Sequence, residues 1–172
     1  MNVSLGLAAL TIAGTIGFAL GSASALPSAQ AEQHTRTFEL TQQPPALHAI
    51  DHHIEGASVA DVLLYEATIA GEQGESGILT GFLITADVPD AETGDVHQDR
   101  LGQLFFDLGN GNGLVVVGEA IYRGEEAEMT PNTAQLRAVV GGTGDFMGAR
   151  GQVATTRNDD GSYRHEFTLL DD

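Results

Sequence analysis

The chain is 172 residues long and 42% hydrophobic, the size of one domain with enough apolar content for a core. Its 24 acids face 7 basic residues, all arginine, for a net charge of −17. That balance argues against nucleic acid or an anionic membrane surface as a partner, since both require a cationic face. The absence of cysteine excludes disulfides, thiolate catalysis and sulfur-bound zinc.

Residues 3–26 (VSLGLAALTIAGTIGFALGSASAL) are apolar, small and uncharged, and Ala29-Gln30-Ala31 follows as an A-x-A cleavage site. This pattern predicts a secretory signal peptide over residues 1–31 and an extracytoplasmic domain over residues 32–172. The run is also long enough for a retained membrane anchor, and no Lys or Arg precedes it.

Beyond His34 the pattern changes to short β-prone runs divided by turn residues, with no amphipathic helix. Eight runs stand out. They are residues 35–41 (TRTFELT), 62–70 (VLLYEATIA), 78–87 (ILTGFLITAD) and 100–108 (RLGQLFFDL), then 114–122 (LVVVGEAIY), 134–140 (AQLRAVV), 151–157 (GQVATTR) and 162–170 (SYRHEFTLL). GNGNG at 109–113 is a hairpin turn that needs positive φ, and NDDG turns the chain into the last run. The segment 45–56 carries no clear pattern. Eight short strands on short turns predict an all-β fold, an antiparallel up-and-down barrel able to enclose one small ligand.

Residues 139–153, VVGGTGDFMGARGQV, contain T-G-x-x-x-G-x-x-G, close to the turn that cradles a dinucleotide pyrophosphate. Such a loop works only where it opens a helix. Here QVATTRNDDG follows, which is β-branched and ends in a turn, so no βαβ unit can form. The glycines instead predict a crowded strand-to-strand connection with Phe146 as its apolar plug. No nucleophile elbow and no P-loop occur.

The stretch LRAVVGGTGDFMGARGQV resembles the C-terminal motif of dirigent proteins and of the allene oxide cyclase family, G-G-T-G-x-F/Y-x-x-A-R-G in its dirigent form. VADVLLYEATIAGEQGESGILTGFLIT resembles their G-D-L-L-x-F block, LFFDLGNGNGLVVVGEAIY their strand–turn–strand, and DDGSYRHEFTL their last strand. The resemblance spans residues 35–170. It implies an eight-stranded calycin-like barrel, often a homotrimer, with an apolar cavity and no cofactor. The partner it implies is an apolar, oxygenated small molecule, whose cyclisation or coupling is directed by orientation.

Thr35, Thr37, Glu39 and Thr41 share one face of the first run, and Arg36, Phe38 and Leu40 the other. The resemblance implies a lumenal acid here, because F-E-L-T looks like the cyclases' Y-E-I-N. Glu39 is then the leading catalytic candidate, flanked by Thr37 and Thr41 as substrate-binding positions. A carboxylate in an apolar cavity has a raised pKa and can polarise an oxygen or move a proton. The alternative is a solvated strand glutamate, and Thr41 replaces the family's asparagine. Glu66, beside Leu64 and Thr68, is a rival acid. Tyr122 offers a phenol at the cavity mouth that can donate to a substrate oxygen, or else lies at a wet rim.

Arg137, between apolar neighbours, can bind a carboxylate if it is lumenal. His165 shares a face with Tyr163 and Phe167, so it is either a satisfied core histidine or a substrate-binding residue. HAIDHHIEG offers His48, Asp51, His52, His53 and Glu55, but in no metal-ligand spacing, and no metal is expected. Three functional readings follow: a cyclase-like barrel, a non-catalytic carrier barrel, or a structural protein whose lumen is filled.

Overall fold

The computed structural model describes residues 34–171, apart from 53–54, 73 and 125–127. The expected signal peptide, residues 1–31, lies outside the described residues, as does His53.

Nine strands follow one another: β1 (Thr35–Gln42), β2 (Ala46–Ile50), β3 (Val62–Gly71), β4 (Ser76–Asp87), β5 (His97–Asp107), β6 (Gly113–Arg123), β7 (Gln135–Thr143), β8 (Gly151–Arg157) and β9 (Tyr163–Leu170). Every ladder is antiparallel, and each of β3 to β8 pairs with the next. β1 pairs with both β9 and β3, which closes the sheet into a barrel. The described residues contain no α-helix, only a 3-10 turn at Gly144–Phe146. All eight strand expectations match strands.

The ninth strand arises because one barrel position is shared. β1 pairs with the end of β3 through Leu40↔Gly71, Thr41↔Ala70 and Gln42↔Ile69, and β2 pairs with its beginning through Ala46↔Glu66 to Ile50↔Val62. Between them lie Pro44 and Pro45, which have no N–H to give to the ladder, so the strand breaks there. Gln43 N–H still reaches the Thr68 carbonyl at 3.0 Å. β2 is exposed throughout, so no buried alternation marked it in the sequence.

The turns follow their composition. Gly109, Asn110 and Gly111 all have positive φ (78°, 55° and 81°), as the β5–β6 hairpin requires. The 139–153 stretch is a strand-to-strand connection. Gly144 has φ of 61°, and a Cβ there would run into the Asn112 side chain and the Gly111 carbonyl. Asn112 Oδ1 accepts from Asp145 N–H at 2.9 Å, and its Nδ2 donates to Asp145 Oδ2 at 3.1 Å, which ties this turn to the hairpin.

Phe146 turns into the barrel and joins a buried cluster with Leu79, Phe106, Leu114, Val116, Val139, Val153, Phe167 and Leu169. Phe38 stacks on its ladder partner Phe167 at 4.8 Å between ring centroids, and Phe106 meets Phe167 edge-on at 5.1 Å. Side chains therefore seal this half of the lumen. A second cluster, Leu83, Ala120, Tyr122, Met129 and Tyr163, occupies the other half, where the polar groups also gather.

Candidate functional site

The open half of the lumen holds a cavity of about 40 Å³, room for about three waters. Its floor meets the sealed cluster at His165, which packs edge-on against Phe106 at 5.0 Å. Its rim is formed by Pro45 and Leu47, Leu63 of β3, and Glu128 and Met129, which precede β7. Met129 is buried over the mouth. Alternation of inward positions supplies the walls: Leu63 and Tyr65 on β3, Leu83 on β4, Leu104 on β5, Tyr122 on β6, Arg137 on β7, Thr155 on β8, and Tyr163 and His165 on β9.

Small residues make room for the large ones. A Cβ on Gly81 would sit 2.8 Å from Cζ of Tyr65, whose ring lies across that glycine. A Cβ on Gly118 would sit 3.2 Å from Cγ of Arg137. These gaps let a phenol and a guanidinium enter a lumen that would otherwise be filled.

The floor is polar and fully bonded at one point. His165 Nε2 lies 2.9 Å from Gln42 Oε1, and Nδ1 lies 3.0 Å from the Thr155 hydroxyl. The amide oxygen can only accept, so Nε2 carries the proton and Nδ1 accepts from Thr155. Burial, and then the charge of Arg137, push the His165 pKa down to about 3, so the ring is neutral.

Tyr122 is the meeting point of two cations. Arg100 lies 4.4 Å over its ring, and Arg137 lines the same cavity close enough for its charge to act on the phenol. Burial raises the Tyr122 pKa, and the two guanidiniums only partly counter it, so the phenol keeps its proton. Arg100 is held in turn by Gln98, whose Oε1 accepts from Nη2 at 2.9 Å, and Gln98 Nε2 donates to Thr85 at 3.1 Å. Burial likewise raises Tyr65 beyond the ordinary phenol range, despite Arg137.

The structure brings Tyr122, Arg137 and His165 together around this cavity. It does not bring Glu39, Thr37, Thr41 or Glu66 there. Phe38 and Leu40 take the inward face of β1, so Thr37, Glu39 and Thr41 point outward, and Glu39 lies 4.0 Å from Arg164 of β9. Glu66 is on the exposed face of β3, because Tyr65 and Ala67 face the lumen. The expected lumenal carboxylate of the first strand is therefore corrected: the acid that lines the cavity is Glu128. Its carboxylate accepts from the Tyr163 hydroxyl and from Arg157 Nη2, each at 3.1 Å. Glu128 sits outside any strand, in a segment whose sequence has no period to place it.

Among the described residues, no three His, Asp or Glu side chains converge as a metal cluster. Asp61 accepts from the backbone N–H of His52 at 2.9 Å and of Ser58 at 2.7 Å, which holds its carboxyl below the usual range.

No family model matches the chain, and no curated protein matches it in sequence. Solved structures do match its fold. A pyocyanin demethylase superposes with a TM-score of 0.54 at 17% identity, over 79% of this chain and 99% of that one. A nonspecific heme-binding cyclase, which catalyses a 4 + 2 cycloaddition during neoabyssomicin biosynthesis, gives 0.61 at 14% identity, over 82% of this chain and 66% of that one. The Diels Alderase AbmU from Streptomyces koyangensis gives 0.57 at 15% identity, over 84% and 72%. At these identities the likeness is one of fold: the chain is a closed, calycin-like antiparallel barrel, an architecture it shares with solved barrel cyclases.

Proposed function

We propose that the chain is a ligand-orienting barrel that guides ring closure or stereoselective coupling of an apolar, oxygenated small molecule, with no resident cofactor. One observation carries the reading: the Tyr122 phenol lines the cavity between two buried guanidiniums, Arg100 4.4 Å over its ring and Arg137 in the same cavity wall. A phenol beside two cations in a poorly solvated site has its O–H polarised, and that O–H can donate into the cavity. A ligand carbonyl receiving it becomes more electrophilic, while the apolar walls hold the chain near its closing geometry. The resemblance to allene oxide cyclases and dirigent proteins supports the same class of chemistry, as do two of the fold neighbours, a cycloaddition cyclase and a Diels Alderase.

The cavity is smaller than the roughly 300–1,000 Å³ of a typical ligand site, so a substrate has to displace Met129 from the mouth. The test is a conjugated polyene ketone or allylic epoxide incubated with the full chain, with the product resolved on a chiral column. An excess of one stereoisomer is expected, and Tyr122→Phe should slow its formation by about 10- to 100-fold. A racemic product at the uncatalysed rate would sink the reading.

A carrier barrel is the second reading. It is favoured by Glu128, the cavity's one acid among the described residues, being tied to Arg157 and Tyr163. A carrier would keep its ligand affinity in Tyr122→Phe and show no turnover in either form. The apolar N-terminal segment supports placing the protein outside the cytoplasm. A homo-oligomer is supported by the outer band of Leu64, Phe82, Ile84, Leu101 and Ile121, all exposed.

A further inference from the structure

Among the described residues, no anion is in contact with Arg137. It is 5% exposed, and its Nε has no hydrogen-bond partner. Its neighbours in the lumen are the Tyr65 and Tyr122 phenols and the His165 imidazole. All three are neutral, and none of the ion pairs among the described residues includes Arg137. A buried guanidinium without an anion is expensive to desolvate, by several kcal/mol in order of magnitude. The chain also makes deliberate space for it, at Gly118.

The position of this charge is as informative as its sign. Arg137 pairs in register with Val153, a member of the sealed cluster, so it stands at the floor. The rim is the opposite: Pro45, Leu47, Leu63 and Met129 are apolar, and the described rim acid, Glu128, is already paired with Arg157. The unpaired cation that would hold an anionic head is at the floor, not at the mouth. An apolar chain meets its match at the mouth.

We infer that the ligand is an apolar acid, a carboxylate or stabilised enolate, which enters head-first, seats its anionic oxygen on Arg137 and leaves its tail among the rim residues. This rests on the ligand-holding reading above and adds the charge and direction of what is held. A guanidinium offers two parallel N–H donors to such a head, and Tyr122 adds a third.

Sorbate (the 2,4-hexadienoate anion) and its alcohol, 2,4-hexadien-1-ol, are suitable probes because they differ only at the head. The chain has three methionines, so methyl-labelled Met129 reports on the rim, and Met147, at the other end of the barrel, is a control. Titration calorimetry is expected to give sorbate a Kd about tenfold or more below that of the alcohol. Nuclear Overhauser contacts from the Met129 methyl should reach C6 of sorbate and not C2. Arg137→Met should abolish the acid preference, bringing the two dissociation constants within about threefold of each other. Arg137→Lys should retain part of the preference.

Equal affinities for the two probes in the wild type would overturn the anionic head, and contacts from Met129 to C2 would overturn the direction. In both cases the barrel remains a ligand holder. If neither probe binds at any accessible concentration, the holder reading falls together with this one. The wild-type comparison and the contact pattern decide the matter even if a variant fails to fold.

Discussion

Buried between Gln42 and Thr155, His165 accounts for both of its ring nitrogens, so it contributes shape and stability rather than a free donor. Its folded pKa is depressed to about 3, below the ordinary 6.5. Between those values the unfolded chain takes up a proton that the folded chain refuses, so stability is lost as pH falls from 6.5 towards 3 and is unaffected above 6.5. The urea midpoint should therefore drop between about pH 7 and about pH 4.5, and His165→Gln should flatten that slope. The window avoids Asp61 and Asp160, whose lowered pKa values act below the ordinary 3.8. An unchanged slope in the variant would remove His165 as the cause. At this scale the sequence was legible in part. The alternation of SYRHEFTLL put His165 with Tyr163 and Phe167. The alternation of TRTFELT sorted Glu39 from Phe38 and Leu40 equally well, and it was the likeness of F-E-L-T to the cyclases' Y-E-I-N, not the alternation, that placed the polar set inward.

Among the elements, the β6–β7 edge is the least regular. Its ladder runs only from Gly113↔Thr143 to Val117↔Ala138, with a register shift at Val115/Val116. Beyond it Gln135 stands in for the missing strand: its Oε1 accepts from Ile121 N–H at 3.0 Å, and its Nε2 donates to the Ile121 carbonyl at 2.6 Å. A primary amide can do this because it has the same donor and acceptor as a peptide group. Gln135→Leu leaves both Ile121 groups to water, at a cost of about 1 kcal/mol, and should speed exchange of the Ile121 amide by about tenfold. Unaltered exchange would mean that the amide bridge contributes nothing to the edge. No sequence pattern announced this bridge, since it depends on two strands that have already diverged. The split of the first barrel position at Pro44–Pro45 was similarly hidden, although its cause lies in plain view as two missing N–H donors.

Over the whole molecule, the exterior is divided. The outer faces of β3 to β6 present Leu64, Phe82, Ile84, Leu101 and Ile121, whereas β9 and β1 present Arg164, Glu166 and Glu39. A net charge of −17 opposes contact between copies, and salt screens that repulsion within about 10 Å at 0.1 M. If copies associate through the apolar band, sedimentation velocity should show more oligomer in about 0.5 M salt than in about 0.05 M. Leu101→Arg should keep the protein monomeric in both. A wild type that stays monomeric at high salt would exclude the band as a self-interface.

From the sequence alone came the strands, the turns that need positive φ and the sets of residues that share a face, because these depend on spacing along the chain and on the backbone freedom of glycine. The orientation of those faces was decided only when the sheet closed. Closure made Phe38 stack on Phe167 and turned Glu39 out to Arg164. It also carried Tyr122, Arg137 and His165, which come from three strands, to one cavity. Glu128 reached the rim through Arg157 and Tyr163, contacts 29 and 35 residues away along the chain. Charge and burial at the site are properties of that convergence, so no local pattern could contain them.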